Sequence, residues 1–213
     1  MTMKTFIFDL DGTLLDTAED IKEGVNHSLE LNHLPLITKE QCISYLGNGS
    51  VKLIQRAIGN NEADFDKVFN DYYVYYNANP IRYTRPFDGI TDILGKLKTL
   101  GCRTIVFTNK PQSIADNIVS RFFGDLVFRT VGVGENNVTK PDVSDFIKRI
   151  EDFDPENSVY FGDSPTDIRT GHNLGIDKTV SVLWGYTKEE VLRAVVPKAF
   201  AFIDSVLQIE EFM

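Results

Sequence analysis

The sequence is poor in cysteine and histidine. Only two cysteines occur in 213 residues, Cys42 and Cys102, and they lie 60 positions apart in dissimilar surroundings. This spacing provides neither a metal-ligand pair nor a disulfide framework, so we interpret both as small buried thiols in a reducing cytosol. The three histidines also lack ligand spacing and are interpreted as structural: His27, His33 and His172.

Basic residues and long apolar runs are scarce as well. Lysine and arginine total 22 against 31 acidic residues, which gives a net charge of −9. This balance argues against nucleic acid, and a phosphorylated substrate would need a local patch of positive charge. Asp9 and Asp11 interrupt the first apolar run, so we expect no signal peptide, and no stretch approaches the roughly 20 apolar residues of a membrane helix. We expect a cytoplasmic protein, a monomer or weak homodimer, without membrane contacts.

The chain does contain short apolar runs that alternate with helical patterns. The predicted strands are 5–8, 103–107, 126–131, 158–161 and 179–183. The predicted helices between and after them are 90–100, 111–123, 142–152 and 165–175. Runs that are apolar throughout suit strands buried on both faces of a parallel sheet. The pattern predicts an α/β fold with a doubly wound, Rossmann-like parallel sheet.

One segment lacks strands and has four helical patterns instead. These patterns cover 18–32, 38–46, 50–58 and 62–79, and Pro80 closes the last of them. We predict a catalytic core formed by residues 1–15 and 84–213, with a helical cap, residues 16–83, inserted after the first strand. The hinge is expected at 14–17.

Polar residues follow the predicted strands where each strand ends. Asp9, Asp11 and Gly12 follow the first strand, Thr108 to Lys110 follow the second, and Gly162 to Asp167 follow the fourth. Lys140 stands before a proline, ahead of a helix. In open α/β sheets, ligands bind at the carboxyl ends of the strands. Two acidic clusters, a hydroxyl and a lysine at this edge predict a site for a metal ion and a phosphate.

In this order, DLDGT, Thr108, Lys140 before a proline, and GDSPTD resemble the four motifs of the haloacid dehalogenase superfamily of phosphatases. The resemblance covers essentially the whole chain, and the predicted cap matches the helical cap type of that family. Val143 departs from the pattern, because relatives often carry a second proline there. This departure affects the start of a helix and none of the chemistry.

The two acids of the first motif have separate predicted roles. Phosphate monoesters hydrolyse very slowly, and a covalent aspartyl-phosphate divides the reaction into two easier steps. Asp9 is the predicted nucleophile. Asp11 is predicted to protonate the leaving alcohol and then to activate water. An aspartate at position 11 also implies, by the resemblance, a phosphatase or a phosphomutase.

A hard divalent cation, Mg²⁺, is the predicted cofactor. Asp9 and Asp163 are the predicted carboxylate ligands, and the resemblance adds the backbone carbonyl of Asp11. Asp167 would ligate the metal or orient it through water. The run 164–167 also has the form of a helix cap, and the two roles are compatible.

The remaining polar groups are predicted to bind phosphate and substrate. Gly12 permits a sharp turn that directs backbone N–H groups at the phosphate. The side chains predicted to bind are Thr108, Asn109, Lys110 and Lys140, and the last of these also offsets carboxylate charge.

The predicted cap carries a clue to the substrate in Gly47-Asn48-Gly49, which precedes a helix with Arg56. Together with TNKP at 108–111, it resembles the phosphoglycolate phosphatase branch. Backbone donors near Asn48 at a helix start could bind an anion, and Arg56 could bind a carboxylate. The same residues also fit a plain helix–turn–helix joint, and both interpretations stay open.

The sequence therefore predicts a Mg²⁺-dependent hydrolase of a small phosphate monoester, with 2-phosphoglycolate as a candidate substrate. A phosphomutase or a pyrophosphatase of the same superfamily is an alternative. A signalling receiver domain is an alternative of another class, since receivers also use acids, a threonine and Lys-Pro at strand ends. A receiver requires neither the large cap nor the acidic motif after Lys140. A calcium loop of the EF-hand type is disfavoured, because Gly12 comes too early.

Overall fold

The computed structural model describes residues 3–213, which form eight strands and nine α-helices. The strands are β1 Thr5–Phe8, β2 Leu15–Asp16, β3 Arg85–Pro86, β4 Arg103–Pro111, β5 Arg129–Val133, β6 Ser158–Gly162, β7 Lys178–Val182 and β8 Ala201–Ile203. The helices are α1 Ala18–Leu31, α2 Lys39–Tyr45, α3 Gly49–Ile58, α4 Phe65–Ala78, α5 Ile90–Thr99, α6 Gln112–Phe122, α7 Ser144–Arg149, α8 Pro165–Asn173 and α9 Glu189–Arg193.

Six of the strands form one parallel sheet in the spatial order β5-β4-β1-β6-β7-β8. Every residue of β1 and β6 is buried, because helices cover both faces of the sheet. The rings of Phe8 and Phe161 stack on neighbouring strands with centroids 4.9 Å apart. This sheet confirms the predicted doubly wound α/β fold.

The register of the sheet brings the polar strand ends together. Phe8, the last residue of β1, pairs with Val106 of β4 on one side and with Phe161 of β6 on the other. The residues that follow these three positions therefore emerge at the same edge of the sheet.

Helices α1 to α4 lie between β2 and β3, which pair antiparallel. Helix α1 packs along α4, where Gly24 comes so close that an added Cβ would lie 3.3 Å from the side chains of Tyr72 and Tyr76. The Asp20 carboxylate of α1 accepts hydrogen bonds from the backbone N–H groups of residues 82–84. These contacts support the division into core and cap that we propose.

Several boundaries differ from the sequence-based prediction. The strand predicted at 126–131 lies at Arg129–Val133, because residues Gly124–Leu126 form a 3₁₀ turn. The helix predicted at 142–152 covers only Ser144–Arg149. Strands β2, β3 and β8 were not predicted, since each has only two or three residues. Among the helices of residues 3–213, none is long and apolar enough to cross a membrane.

Candidate active site

Three buried carboxylates meet at the carboxyl edge of the sheet. Asp9 follows β1, Asp163 follows β6, and Asp167 lies in the first turn of α8. Each offers an oxygen within 4.8 Å of the oxygens of the other two. The adjacent positions of β1 and β6 produce this cluster.

The electrostatics of the cluster suit a bound cation. Burial raises the pKa of Asp9, and the charge of Asp167 raises it further. Burial, followed by the charge of Asp167, raises the pKa of Asp163 to about 7. Carboxylates whose charges are poorly compensated in this way favour a divalent ion, and a set of carboxylate oxygens is what Mg²⁺ prefers. The residues present therefore fit a Mg²⁺ site.

Lys140 supplies the positive charge within the cluster. Its Nζ lies 2.7 Å from Oδ1 of Asp9 and 2.6 Å from Oδ1 of Asp167, and it donates to the Tyr160 hydroxyl at 3.2 Å. Burial lowers the pKa of Lys140, but the charges of Asp167 and Asp9 outweigh this effect and raise the pKa. Lys140 is therefore a permanent cation at the base of the pocket.

Asp167 is saturated by hydrogen bonds from the protein. Oδ1 accepts from Lys140 and from the Tyr160 hydroxyl at 3.0 Å, and Oδ2 accepts from the Ser164 N–H at 3.1 Å and the Ser164 hydroxyl at 2.5 Å. A carboxylate has about four acceptor directions, and all are used here. This geometry disfavours the expected direct ligation of a metal by Asp167; the carboxylate instead holds Lys140 and forms the expected helix cap with Ser164. Tyr160 and Ser164 were not predicted as site residues.

Asp163 keeps acceptor capacity for a ligand. Oδ1 accepts from the Thr13 hydroxyl at 3.1 Å, and Oδ2 accepts from the Tyr186 N–H at 2.8 Å. Gly12 has a φ of +86°, and a Cβ there would lie 2.4 Å from Asp163 Oδ2. A side chain at position 12 would thus be strained and would displace this carboxylate.

The Asp11 carboxylate lies outside the cluster of three acids. Its Oδ1 accepts a hydrogen bond from the Thr17 hydroxyl at 2.6 Å and lies 3.0 Å from Lys110 Nζ. Lys110 also donates to the Tyr76 hydroxyl of α4 at 2.9 Å. Asp11 is therefore held between the start of α1 and a buried lysine, apart from the acids that could bind metal.

Thr108 to Lys110 occupy an irregular end of β4, where the register with β5 shifts. The Thr108 side chain accepts from the Lys110 N–H at 3.1 Å. Asn109 accepts from the Lys140 N–H at 2.6 Å and donates to the carbonyl oxygens of Gly47 and Lys140, each at 3.3 Å. Asn109 thus connects the loop before α3 to the backbone of Lys140.

These groups line a pocket between the sheet edge and the cap helices. The wall on the sheet side is polar and comprises Asp9, Asp11, Thr108, Asn109, Lys110, Lys140, Asp163 and Ser164. The wall on the cap side is largely apolar and comprises Ile21, Ile43, Leu46, Leu53, Tyr72 and Tyr76, with Gly47, Gly49 and Ser50 beside them.

Arg56 and Asn48, expected to bind substrate, do not line this pocket. Arg56 is exposed and donates to the Tyr45 carbonyl at 2.8 Å and to Oδ1 of Asn48 at 2.7 Å. Asn48 in turn donates to the Thr166 hydroxyl at 3.2 Å. Tyr45 ends α2, and the unpaired carbonyls of a helix end attract a guanidinium. Of the two interpretations of this segment, these contacts favour the helix–turn–helix joint, in which both side chains hold the loop before α3.

The chain was compared with known proteins. Residues 6–181 match the family of haloacid dehalogenase-like hydrolases. A phosphoglycolate phosphatase of Agrobacterium fabrum is 31% identical over 189 residues, which are 85% of this chain and 81% of that protein. One of Aquifex aeolicus is 31% identical over 194 residues and 87% of each chain.

A solved structure has the same fold over nearly its whole length. The crystal structure of a predicted phosphoglycolate phosphatase from Haemophilus somnus 129pt superposes with a TM-score of 0.88 at 26% identity. The superposition covers 99% of this chain and 98% of the other. Together with the family match, this confirms the expected resemblance: the chain belongs to the haloacid dehalogenase-like hydrolases.

Proposed function

We propose that the protein is a Mg²⁺-dependent phosphatase that hydrolyses a small phosphate monoester through an aspartyl-phosphate on Asp9. The observation that carries the proposal is the separation of the acids. Asp9 lies with Lys140 and two further carboxylates, whereas Asp11 is held apart by Thr17 and Lys110. Two carboxylates in different surroundings suit a nucleophile and a proton donor.

In the first step, a carboxylate oxygen of Asp9 forms a bond to phosphorus and the bond from phosphorus to the ester oxygen breaks. Asp11 gives a proton to the departing alcohol. In the second step, a water molecule attacks phosphorus, the bond to Asp9 breaks, and Asp11 takes the proton of the water. Lys140 already holds Oδ1 of Asp9, and this contact orients the nucleophile.

Asp9 and Asp163 would hold Mg²⁺, together with the backbone carbonyl of Asp11. The ion would offset charge on the phosphate oxygens. The Thr108 hydroxyl lines the pocket beside Lys140 and would donate to the remaining phosphate oxygens. The Asn109 side chain already donates to two carbonyl oxygens and would instead hold the backbone of Lys140 in place. Lys140 reduces the repulsion between the carboxylates and the incoming phosphate.

The candidate substrate is 2-phosphoglycolate, supported by the names of the similar proteins. In this molecule one methylene separates the ester oxygen from a carboxylate. The proton donor Asp11 must approach the ester oxygen, so the substrate carboxylate would lie close to Asp11 as well. Lys110 Nζ lies 3.0 Å from Asp11 and would therefore be near that carboxylate. Lys110 lines the pocket and is buried, so it takes the role that the sequence suggested for Arg56, that of binding the carboxylate.

The test is the release of phosphate from a panel of phosphorylated metabolites with and without Mg²⁺, including 2-phosphoglycolate, pyrophosphate and hexose phosphates. We expect Mg²⁺-dependent multiple turnover of a monoester, abolished in Asp9→Asn. Stoichiometric phosphorylation without turnover would support a receiver instead. Transfer of the phosphoryl group to a sugar, in place of water, would support a mutase.

Substrate recognition is tested with Lys110→Met. Because a hydrogen bond to a charged group contributes about 1.5–3 kcal/mol, we expect kcat/KM for 2-phosphoglycolate to fall about 10- to 100-fold. The loss for p-nitrophenyl phosphate should be much smaller, since its leaving group carries no carboxylate. Arg56→Met is the matched control and should change neither value more than about twofold. Equal losses on both substrates would remove Lys110 from substrate recognition.

A further inference from the structure

Tyr186 is a pocket residue to which neither the sequence motifs nor the proposed chemistry gives a role. It lies in the loop between β7 and α9, far along the chain from the first motif. Its backbone N–H donates to Asp163, as described above. Its ring lies against the turn at Gly12, where an added Cβ would be 2.8 Å from Tyr186 Cδ2. Tyr186 therefore contacts both acidic motifs of the site.

The Tyr186 hydroxyl reaches the hinge where α1 begins. It accepts hydrogen bonds from the N–H groups of Thr17, at 2.7 Å, and Ala18, at 3.0 Å, and it donates to Oδ1 of Asp16 at 3.0 Å. The first N–H groups of a helix have no partner within the helix. Tyr186, 169 and 168 positions away, satisfies two of them here, and the Ala18 N–H has a second, longer contact with Oδ1 of Asp16 at 3.4 Å.

The Thr17 side chain does not cap the helix that it precedes. It occupies the position before α1 at which a threonine commonly caps the helix with its own side chain, but it makes no such hydrogen bond. Its hydroxyl donates instead to Oδ1 of Asp11 at 2.6 Å. The tyrosine hydroxyl thus holds the backbone of Thr17 and Ala18 at the start of the helix, and the threonine hydroxyl holds the proposed proton donor.

We propose that Tyr186 is a positioning residue that caps α1 at the hinge and thereby keeps Thr17 oriented on Asp11. This inference rests on the proposed function. The hydroxyl also ties the start of the cap to the loop that holds Asp163, so the position of the cap and the geometry of the proton donor are coupled. Misplacement of a catalytic group by about 1 Å costs up to about 100-fold in rate.

The test is Tyr186→Phe, which keeps the ring against Gly12 and the backbone N–H to Asp163 but removes the hydroxyl. We expect kcat/KM for an alkyl phosphate such as 2-phosphoglycolate to fall about tenfold, because an alkoxide needs a proton to leave. The value for p-nitrophenyl phosphate should stay within about twofold, since p-nitrophenolate leaves without a proton. The Mg²⁺ dependence should be unchanged.

Three further measurements keep the inference testable. Thr17→Val should give the same selective loss, and the double variant should lose no more than either single variant. Amide hydrogen exchange at Thr17 and Ala18 should accelerate in Tyr186→Phe, a result that needs no activity. Tyr73→Phe is the control, because its ring packs on Phe69 away from the pocket and its kinetics and exchange should match wild type.

Each failure points to a different conclusion. A wild-type protein without turnover contradicts the proposed function. An active wild type with equal losses on both substrates, or with none, contradicts the role of Tyr186 alone. Unchanged exchange at Thr17 and Ala18 contradicts the capping contact itself.

Discussion

The two walls of the pocket differ in chemistry. The sheet wall carries charged groups that are held by one another, as Lys140 holds Asp9 and Asp167. The cap wall presents mainly aliphatic and aromatic side chains, and Arg56, the cap residue that the sequence suggested for binding a carboxylate, is engaged elsewhere. We therefore propose that the sheet wall carries out the reaction, whereas the cap supplies shape and excludes water.

The sheet wall supplies the positive charge that a phosphorylated substrate needs, although the protein as a whole has a net charge of −9. A dianionic substrate meets no cation on the cap wall among the described residues, and it meets Lys110 and Lys140 on the sheet wall. Both lysines are buried and each is paired with a carboxylate. We therefore expect the attraction for phosphate to be local and to depend on these pairs and on the proposed Mg²⁺.

The largest effect is expected from breaking the sheet wall with Lys140→Met. The loss of this cation should lower kcat/KM at least about 100-fold, because it leaves Asp9 without its orienting contact and removes the positive charge that offsets the carboxylates beside the phosphate. The free energy of unfolding in urea should fall by about 3 kcal/mol, since a buried ion pair loses one partner. Lys96→Met, which breaks the exposed ion pair with Glu210, is the control. It should lower the free energy of unfolding by less than about 1 kcal/mol. Similar stability losses in both variants would contradict the buried network.

A middle-sized effect is expected from changing the charge of the cap wall at Ile43, which is half-buried in the pocket. Ile43→Asp should raise KM for an anionic substrate about tenfold with little change in kcat, and Ile43→Lys should lower it, by Coulomb interaction across the pocket. Val51→Asp, exposed on α3 and outside the pocket, is the matched control. Equal effects of the Asp and Lys variants would show that shape, not charge, governs this wall.

The smallest effect is expected in the reactivity of two thiols, one in the cap and one in the core. Burial raises the pKa of Cys42, in the cap helix α2, to about 12, so this thiol stays protonated at pH 8. Burial raises the pKa of Cys102 as well, but this thiol is only partly buried. A thiol reagent at pH 8 should therefore modify Cys102 first, as followed by mass spectrometry of tryptic peptides. Faster modification of Cys42 would indicate that the cap opens or unfolds locally.

Much of the fold could be predicted because its signals are local. The strand 5–8 is apolar at every position, and its bounds agree with Thr5–Phe8 in the structure. The strand around Val131 was misplaced because Leu126 and Val127 are apolar but belong to a turn and its exit. The two-residue strands β2 and β3 have no periodicity to detect, and they form only because the chain returns from α4 to the hinge.

The candidate site likewise has residues that the sequence could identify and contacts that it could not. Asp9, Asp11, Thr108, Lys140 and Asp163 were all named from the sequence, because motif order and strand ends are properties of the chain alone. Their roles stay proposals that the variants above test. Arg56 was left open between substrate binding and a helix joint, since the sequence could not show that a helix end and Asn48 would engage its guanidinium.

The sequence by itself determined the fold class, the family and the set of acids at the strand ends. Only the tertiary structure decided which acid is saturated, which lysine faces the pocket and which side chain caps α1. The physical reason is that these answers depend on contacts between residues far apart in the chain. Tyr186 and Thr17 lie 169 positions apart, and no spacing pattern records the hydrogen bond that joins them.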